Sequence, residues 1–263
     1  MTDAPASAAF VAEYRERPPQ PLAVVIAAYN EEGGIGDVVA ATPPSVCGLG
    51  TEVIVVVDGS VDRTASVARR AGALVWEVPV NGGQGTALRL GYRLARARGA
   101  RYIATLDGDG QYDPDELERV VAPLVAGTAD LVSGSRRLGT AHTTDRVRGA
   151  GVVLFGALIT LLTGTRITDP ANGLRAMRAE VTERVPLEQP QYQASELLVG
   201  AILHGFRVAE VPTTMRQRSA GKTKKGGNLA YGARFARVIA TTWWRDRHAG
   251  GRAAAGSAKI TSS

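Results

Sequence analysis

Val53-Ile54-Val55-Val56-Val57-Asp58-Gly59-Ser60 is a run of five β-branched apolar residues that ends abruptly in polar ones. Such side chains fill a pleated surface well and crowd a helix. An unbroken run, rather than an alternating one, belongs to a strand covered on both faces. The same signature stands upstream at Leu22 to Ala28 and downstream at Leu74 to Val78, Tyr102 to Leu106 and Asp130 to Ser133. Between these runs lie segments with helical character: Gly36 to Ala41, closed by Pro43 and Pro44; Asp62 to Ala71, stopped by Gly72; Thr86 to Arg98, ended by Gly99; and Pro114 to Val125. Strand and helix alternate through residue 135, which predicts an α/β fold, a mostly parallel Rossmann-like sheet with helices on both faces. Ligands of such sheets bind beyond the carboxyl ends of the strands. The polar segments Tyr29-Asn30-Glu31-Glu32, Asp58-Gly59-Ser60, Asn81-Gly82-Gly83-Gln84-Gly85 and Asp107-Gly108-Asp109 should therefore share one rim.

After Arg136 the alternation breaks. Residues 149–165 carry no charge and fall just short of the roughly 20 residues a bilayer-spanning helix needs. They read as a buried helix or as one lying at a membrane surface. A helix over Glu196 to Leu203 and a strand over Arg207 to Val211 follow. Next come a glycine-containing basic stretch (Arg216, Arg218, Lys222, Lys224, Lys225) and a helix that sets Arg234, Arg237, Arg245 and Arg247 against Tyr231, Phe235, Val238, Ile239, Trp243 and Trp244. Such a helix suits a membrane surface or a protein partner. Arg245, Asp246 and Arg247 interrupt its apolar run, so no transmembrane helix is expected there. Residues 1–20, without a continuous apolar region, read as a disordered tail and not a signal peptide; residues 249–263, of small and polar type, read the same way. The main domain is expected over 21–226 and the C-terminal amphipathic basic helix over 227–248.

The composition, 44% hydrophobic and 21% charged over 263 residues, supports one large core. The net charge of +6 suits phosphates, nucleic acid or an anionic membrane alike. Nucleic-acid binding would require aromatics interleaved with the basic residues on one platform. Only the last helix offers these, so no nucleic-acid partner is expected. The single cysteine, Cys47, excludes an intrachain disulfide. His142, His204 and His248 read as surface or packing residues.

Asp107-Gly108-Asp109 places two carboxylates one residue apart at a strand end. Mg²⁺ typically takes one or two carboxylates plus substrate phosphates, so the pair suits a cation and its diphosphate, or simply a polar turn. Asp58 suits hydrogen bonds from a base or ribose. The glycine-rich turn at 81–85 precedes a helix and could approach a phosphate, although it fits neither the Walker A pattern nor the dinucleotide fingerprint.

Taken in order, these motifs resemble the family 2 glycosyltransferases of the GT-A fold, and within them the dolichol-phosphate mannose synthase and polyprenyl-phosphate glycosyltransferase branch. The resemblance runs from about Leu22 to Ala240. It implies that Ala27, Tyr29 and Glu31 of the first-strand motif, Val56 and Asp58 of the second, and Asp107 and Gly108 bind the nucleotide-sugar donor. It implies Asp109 and Gln111 as ligands of Mg²⁺ or Mn²⁺. Two positions depart from the family pattern: Ala27 replaces a usual proline, and Val57 the first of two usual aspartates. Ser133-Gly134-Ser135-Arg136 resembles the segment whose arginine faces the acceptor phosphate, with Arg146 and Arg148 as further candidates. Arg218-Ser219-Ala220-Gly221-Lys222-Thr223-Lys224 is similar to a loop in which Arg218 and Lys224 would grip the diphosphate.

The implied reaction is a single displacement with inversion at the anomeric carbon by a lipid phosphate, already ionised and in little need of a base. Asp109, Arg136, Asp169 and Arg218 would carry catalysis. A hydroxyl acceptor would instead require a carboxylate base, with Asp169 the first candidate and Glu196 the second. A non-catalytic nucleotide-sugar or membrane-binding module is the reading from another class. The resemblance further implies a peripheral enzyme on the inner, cytoplasmic face of a membrane, its 149–165 segment beside the lipid carrier.

Overall fold

The structure, a computed structural model, describes residues 3–141, 146–216 and 228–257. Its strands are β1 (Leu22–Ala28), β2 (Ser45–Val46), β3 (Leu49–Asp58), β4 (Leu74–Val78), β5 (Tyr102–Thr105), β6 (Leu131–Ala141), β7 (Arg175–Arg178) and β8 (Val208–Met215). Its helices are α1 (Asp3–Glu13), α2 (Ile35–Ala41), α3 (Thr64–Arg70), α4 (Gln84–Ala97), α5 (Leu117–Val125), α6 (Arg146–Thr163), α7 (Ala179–Arg184), α8 (Gln193–Leu203) and α9 (Asn228–Ser257), with a 3₁₀ turn at Pro114–Glu116. One mixed sheet has the order β4-β3-β1-β5-β7-β6-β8, with β2 paired to the start of β3.

Four adjacent strands, β4, β3, β1 and β5, are parallel and end at one rim. There Ala28 lies opposite Val57, and Asp58 opposite Val78. β7 runs antiparallel to both β5 and β6, its first residue Arg175 opposite Thr105 and Ser133. An antiparallel strand begins where its neighbours end, so the segment 168–174 is delivered to the same rim. β7 is too short, and too charged at both ends, to be read from the sequence.

The uninterrupted apolar strands serve two core layers. Val24 and Ile26 with Val55 and Val57 face α2, α3 and α5. Val25, Ile54 and Val56 face α4, α8 and α9. Each fully buried side chain of this kind contributes about 1.5–3 kcal/mol. Gly91 lets α4 lie directly on the sheet, because a β-carbon there would strike Val25.

Two expectations need correction. Of the tail expected over residues 1–20, the described part, from Asp3 on, is not disordered. Within it α1 inserts Phe10, fully buried, against the rings of Tyr14 and Trp76. Arg98, paired with Glu52 at 2.9 Å, also donates to the carbonyls of Tyr14 and Arg17. One aromatic anchor makes no periodicity, so sequence reading missed it. At the other end, the helix expected to stop at residue 248 continues to Ser257, through the strong helix former Ala at 253–255; 258–263 lie outside the described residues.

In α6 the uncharged segment has one packed face and one exposed face. Ile159 is buried and Phe155, Leu158 and Leu162 pack on the core, whereas Leu154 and Leu161 are 65% and 82% exposed. Phe155 meets Phe235 of α9 at 4.5 Å between ring centroids, and the Trp243 indole donates to the Leu162 carbonyl at 2.9 Å. Trp244, the next residue of α9, is 63% exposed. Among the described residues no helix is long and apolar enough to cross a membrane.

Candidate active site

The first-strand motif is locked to the second. Asn30, in left-handed backbone at φ 51°, donates its amide to Ser60 Oγ at 3.0 Å and accepts from the Val61 amide through Oδ1 at 3.0 Å. The Glu31 amide donates to Thr64 Oγ1 at 2.9 Å. Tyr29 stands 39% exposed above this junction, with Glu31 half-buried beside it and Ala27 half-buried at the end of β1.

Asp58 is buried, and both of its carboxylate oxygens are used. Oδ1 accepts from the Gly82 amide and Oδ2 from the Gly83 amide, each at 2.8 Å. Asn81 donates to the Asp58 carbonyl at 3.0 Å. Asp58 thus anchors the glycine-rich turn at the strand end. The turn is correspondingly not an open phosphate cradle, because its Gly82 and Gly83 amides serve Asp58 and its Gly85 amide donates to the Pro190 carbonyl at 2.8 Å. Val56, expected to bind the donor, lies fully buried with its side chain in the α4 layer. Val56 shares the sheet face of Asp58 but lies two residues deeper, where α4 covers its side chain and leaves it no route to a ligand at the rim.

The Asp107–Asp109 motif follows β5 and packs beneath the first-strand loop. Gly108 is buried where a β-carbon would sit 3.2 Å from Ile35 Cδ1. The Asp107 carboxylate accepts from Gln84 Nε2 at 3.3 Å. It also faces Gly173 so closely that any side chain at 173 would collide with it. Asp109, 6% exposed, accepts the Gln111 amide at 3.1 Å. Gln111 in turn bonds the backbone of Arg216 through its carbonyl at 2.8 Å and its Nε2 at 3.4 Å. Asp107, Asp109 and the Gln111 amide oxygen are hard oxygen donors of the type Mg²⁺ and Mn²⁺ prefer. Among the described residues no group of three or more His, Cys, Asp or Glu could hold a metal alone. A cation held by these few oxygens would need the phosphates of its substrate to complete its shell, so the residues fit a metal–diphosphate site.

Arg136 and Asp169, predicted separately, form one unit, its carboxylate buried and its guanidinium partly open to solvent. Arg136 donates Nε and Nη2 to the two carboxylate oxygens at 2.6 Å each, and its own backbone amide adds a third bond at 3.0 Å. Burial acts to lower the Arg136 pKa, but the hydrogen bonds and charge of Asp169 outweigh it and push it up. Asp169 is fully buried. A carboxylate that receives a guanidinium fork is well suited to position it, and both oxygens of Asp169, the first candidate base, are engaged in this way. Glu196, the second candidate base, is likewise engaged by other groups. Fully buried, it accepts the backbone amides of Glu188 and Gln189 at 2.8 and 3.0 Å.

Two participants were missed. Glu210 holds the Asp169 segment from below, accepting from the amides of Thr168 at 2.7 Å and Asp169 at 2.9 Å. Its signal was a lone carboxylate in an apolar strand. Tyr112, nearly fully buried, accepts the Gly173 amide at 3.3 Å. Burial pushes its hydroxyl far above the ordinary phenol range; Arg136 works against this, and Asp107 and Asp169 reinforce it. Nothing in the sequence singled it out.

Arg218, Lys222, Lys224, Lys225 and His142 lie outside the described residues. Arg146 and Arg148 fall in the first turn of α6, where only the backbone is described.

Comparison with known proteins agrees with this geometry. The family model for glycosyl transferase family 2 matches residues 23–185. A dolichyl-phosphate hexose transferase of Haloferax volcanii is 35% identical over 220 residues, 82% of this chain and 93% of that protein. A polyprenol monophosphomannose synthase of Mycolicibacterium smegmatis is 31% identical over 235 residues, 83% of this chain and 86% of that one. Among solved structures, glucosyl-3-phosphoglycerate synthase of Mycobacterium tuberculosis, in complex with Mn²⁺, uridine diphosphate and phosphoglyceric acid, superposes with a TM-score of 0.69 at 24% identity, over 90% of this chain and 82% of that one. The rim motifs, the sheet order and these similarities agree that the chain belongs to glycosyl transferase family 2 and is a sugar-transferring enzyme of the GT-A fold.

Proposed function

We propose that this enzyme moves a hexose, with inversion, from a nucleoside-diphosphate sugar to a polyprenyl phosphate at a membrane surface. The observation that carries the acceptor class is the Arg136–Asp169 fork. The carboxylate best placed to be a base is committed to a guanidinium, which suits an acceptor that arrives ionised. The names of the relatives in Haloferax and Mycolicibacterium point the same way. A phosphate oxygen of the acceptor attacks the anomeric carbon, the bond from that carbon to the diphosphate oxygen breaks, and the nucleoside diphosphate leaves.

Tyr29 and Glu31 border the nucleotide, and Asp58 fixes the turn beside it. Asp107, Asp109 and Gln111 hold Mg²⁺ or Mn²⁺, which when bound offsets the negative charge gathering on the departing diphosphate. Arg218 and Lys224 are assigned to the same diphosphate on the family motif alone. Arg136, held rigid by Asp169, orients the acceptor phosphate, with Arg146 and Arg148 proposed as its helpers. The exposed Leu154, Leu161 and Trp244 form the face that meets the lipid, as amphipathic helices do at interfaces.

The test is nucleoside-diphosphate release from a panel of UDP- and GDP-sugars with Mn²⁺ or Mg²⁺, with and without a short polyprenyl phosphate. Release that requires the lipid phosphate is expected. Release that requires a hydroxyl acceptor instead would overturn the acceptor assignment.

A further inference from the structure

A partly buried ion cluster on α8 and α9 takes no part in the chemistry above, yet it reaches the donor rim. Glu196, fully buried, spends both carboxylate oxygens on the backbone of one surface segment, the amides of Glu188 and Gln189. Arg245 of α9 grips the same segment. Its Nη1 lies 3.2 Å from Glu196 Oε1 and 3.1 Å from Glu188 Oε2, and its Nη2 donates to the Pro186 carbonyl at 2.7 Å. Asp246 steadies the guanidinium through Nε at 2.7 Å. Residues 186–190 are thus held from below by side chains of two helices.

The far side of that segment touches the glycine-rich turn. The Pro190 carbonyl accepts the Gly85 amide at 2.8 Å, and the Gln189 carbonyl accepts from Arg89 of α4 at 3.3 Å. Contact is so close that a β-carbon at Gly83 or Gly85 would run into these carbonyls. The turn continues directly to the rim, where its Gly82 and Gly83 amides fix the Asp58 carboxylate and Gln84 reaches Asp107. Burying charges costs several kcal/mol per ion before pairing returns it. Stitching α9 to α8 needs only apolar contact, whereas aiming a strip of backbone needs directional bonds of this kind.

We infer that Glu196 and Arg245 are positioning residues for the donor site, acting through residues 186–190 on the glycine-rich turn and so on Asp58 and Asp107. The inference rests on the donor reading of the rim given above. Neither residue touches donor or acceptor. Their effect is to set where the turn stands, and displacement of a positioning group by a fraction of an ångström to an ångström is enough to weaken a site.

The experiment is calorimetric titration of the full chain with UDP and with GDP, each with Mn²⁺. The variants are Glu196→Gln, Arg245→Met, Arg245→Lys, Gly85→Ala and the double variant Gly85→Ala/Arg245→Met. Arg98→Met, which breaks the Glu52 pair at the opposite end of the sheet, controls for loss of stability alone. Glu196→Gln and Arg245→Met should each weaken nucleotide binding about tenfold, the worth of roughly one hydrogen bond. Arg245→Lys should restore most of it, and Arg98→Met should stay within about twofold of the parent chain while melting lower. Because Gly85→Ala pushes on the same segment from its other side, the double variant should be no weaker than the worse single one. Glu196→Gln, isosteric with the native side chain, keeps the test open if Arg245→Met does not fold. Unchanged affinity in Glu196→Gln, or a double variant equal to the product of the singles, would overturn the inference. A parent chain that binds neither nucleotide would instead overturn the donor reading, and this inference with it.

Discussion

Replacing Asp169 by asparagine tests the central geometric claim. The carboxylate is fully buried and takes Arg136 Nε and Nη2 at 2.6 Å each. Asparagine keeps the shape, but its NH₂ must face a guanidinium N–H, so one charge-assisted bond is lost and donor meets donor. Removing one member of a buried ion pair costs about 3–5 kcal/mol. The Arg136 side chain keeps 18% of its surface in solvent, which places the expected loss near the lower end, about 3 kcal/mol. In a chain of this size each kcal/mol moves the melting midpoint by roughly 2–4 °C, so a fall of roughly 6–12 °C is expected.

Arg136→Met should cost a similar amount by stranding the carboxylate. The double variant should cost clearly less than the sum, with a coupling of about 2–3 kcal/mol. Urea denaturation of the four proteins supplies the stabilities. The pH–rate profile with the lipid phosphate supplies a second readout, because a residue that positions Arg136 should lower the turnover rate without removing the acid limb of the profile. Stabilities that add within about 0.5 kcal/mol, or an acid limb that vanishes in Asp169→Asn, would refute the positioning role and return Asp169 to general base.

Asp109→Ala should lower turnover by at least about 10²-fold while the chain stays folded; chelation should do the same to the parent chain, reversibly on adding Mn²⁺ or Mg²⁺. Near-normal turnover in Asp109→Ala removes the metal assignment. Leu161→Ser with Trp244→Ser should weaken sedimentation with anionic phospholipid vesicles while leaving donor binding intact, and unaltered sedimentation sinks the membrane-facing surface. Asp130, whose carboxyl is held below its ordinary value by the hydrogen bonds of Arg207, should add stability above pH about 4. That contribution fades as pH falls through its folded value, so the stability gap between the parent chain and Asp130→Asn should close in acid, and a gap constant from pH 6 to pH 3 contradicts the pairing.

The sheet's central strands were legible because burial on both faces demands unbroken runs such as Val53 to Val57, and no other local structure accounts for so many β-branched residues in a row. The rim was legible for a related reason: polar motifs that directly follow buried strands must emerge where those strands end. Asp58, Asp107, Asp109 and Gln111 were therefore locatable before any coordinates, and the order of their motifs carried the family. What each carboxylate binds was not legible. Asp58 meets Gly82 and Gly83 across more than twenty residues of sequence. Asp169 meets Arg136 only because the short antiparallel β7 returns the chain to the rim. The Val56 side chain is covered because it lies two residues short of the rim on the face that α4 packs against, and a motif does not say how far a helix reaches over a strand. Phe10, Tyr112 and Glu210 owe their roles to contacts with segments remote in sequence, and such contacts leave no local period to read. Element type follows from short-range pattern, and the pairing of buried polar groups follows from which segments tertiary packing brings within hydrogen-bond reach.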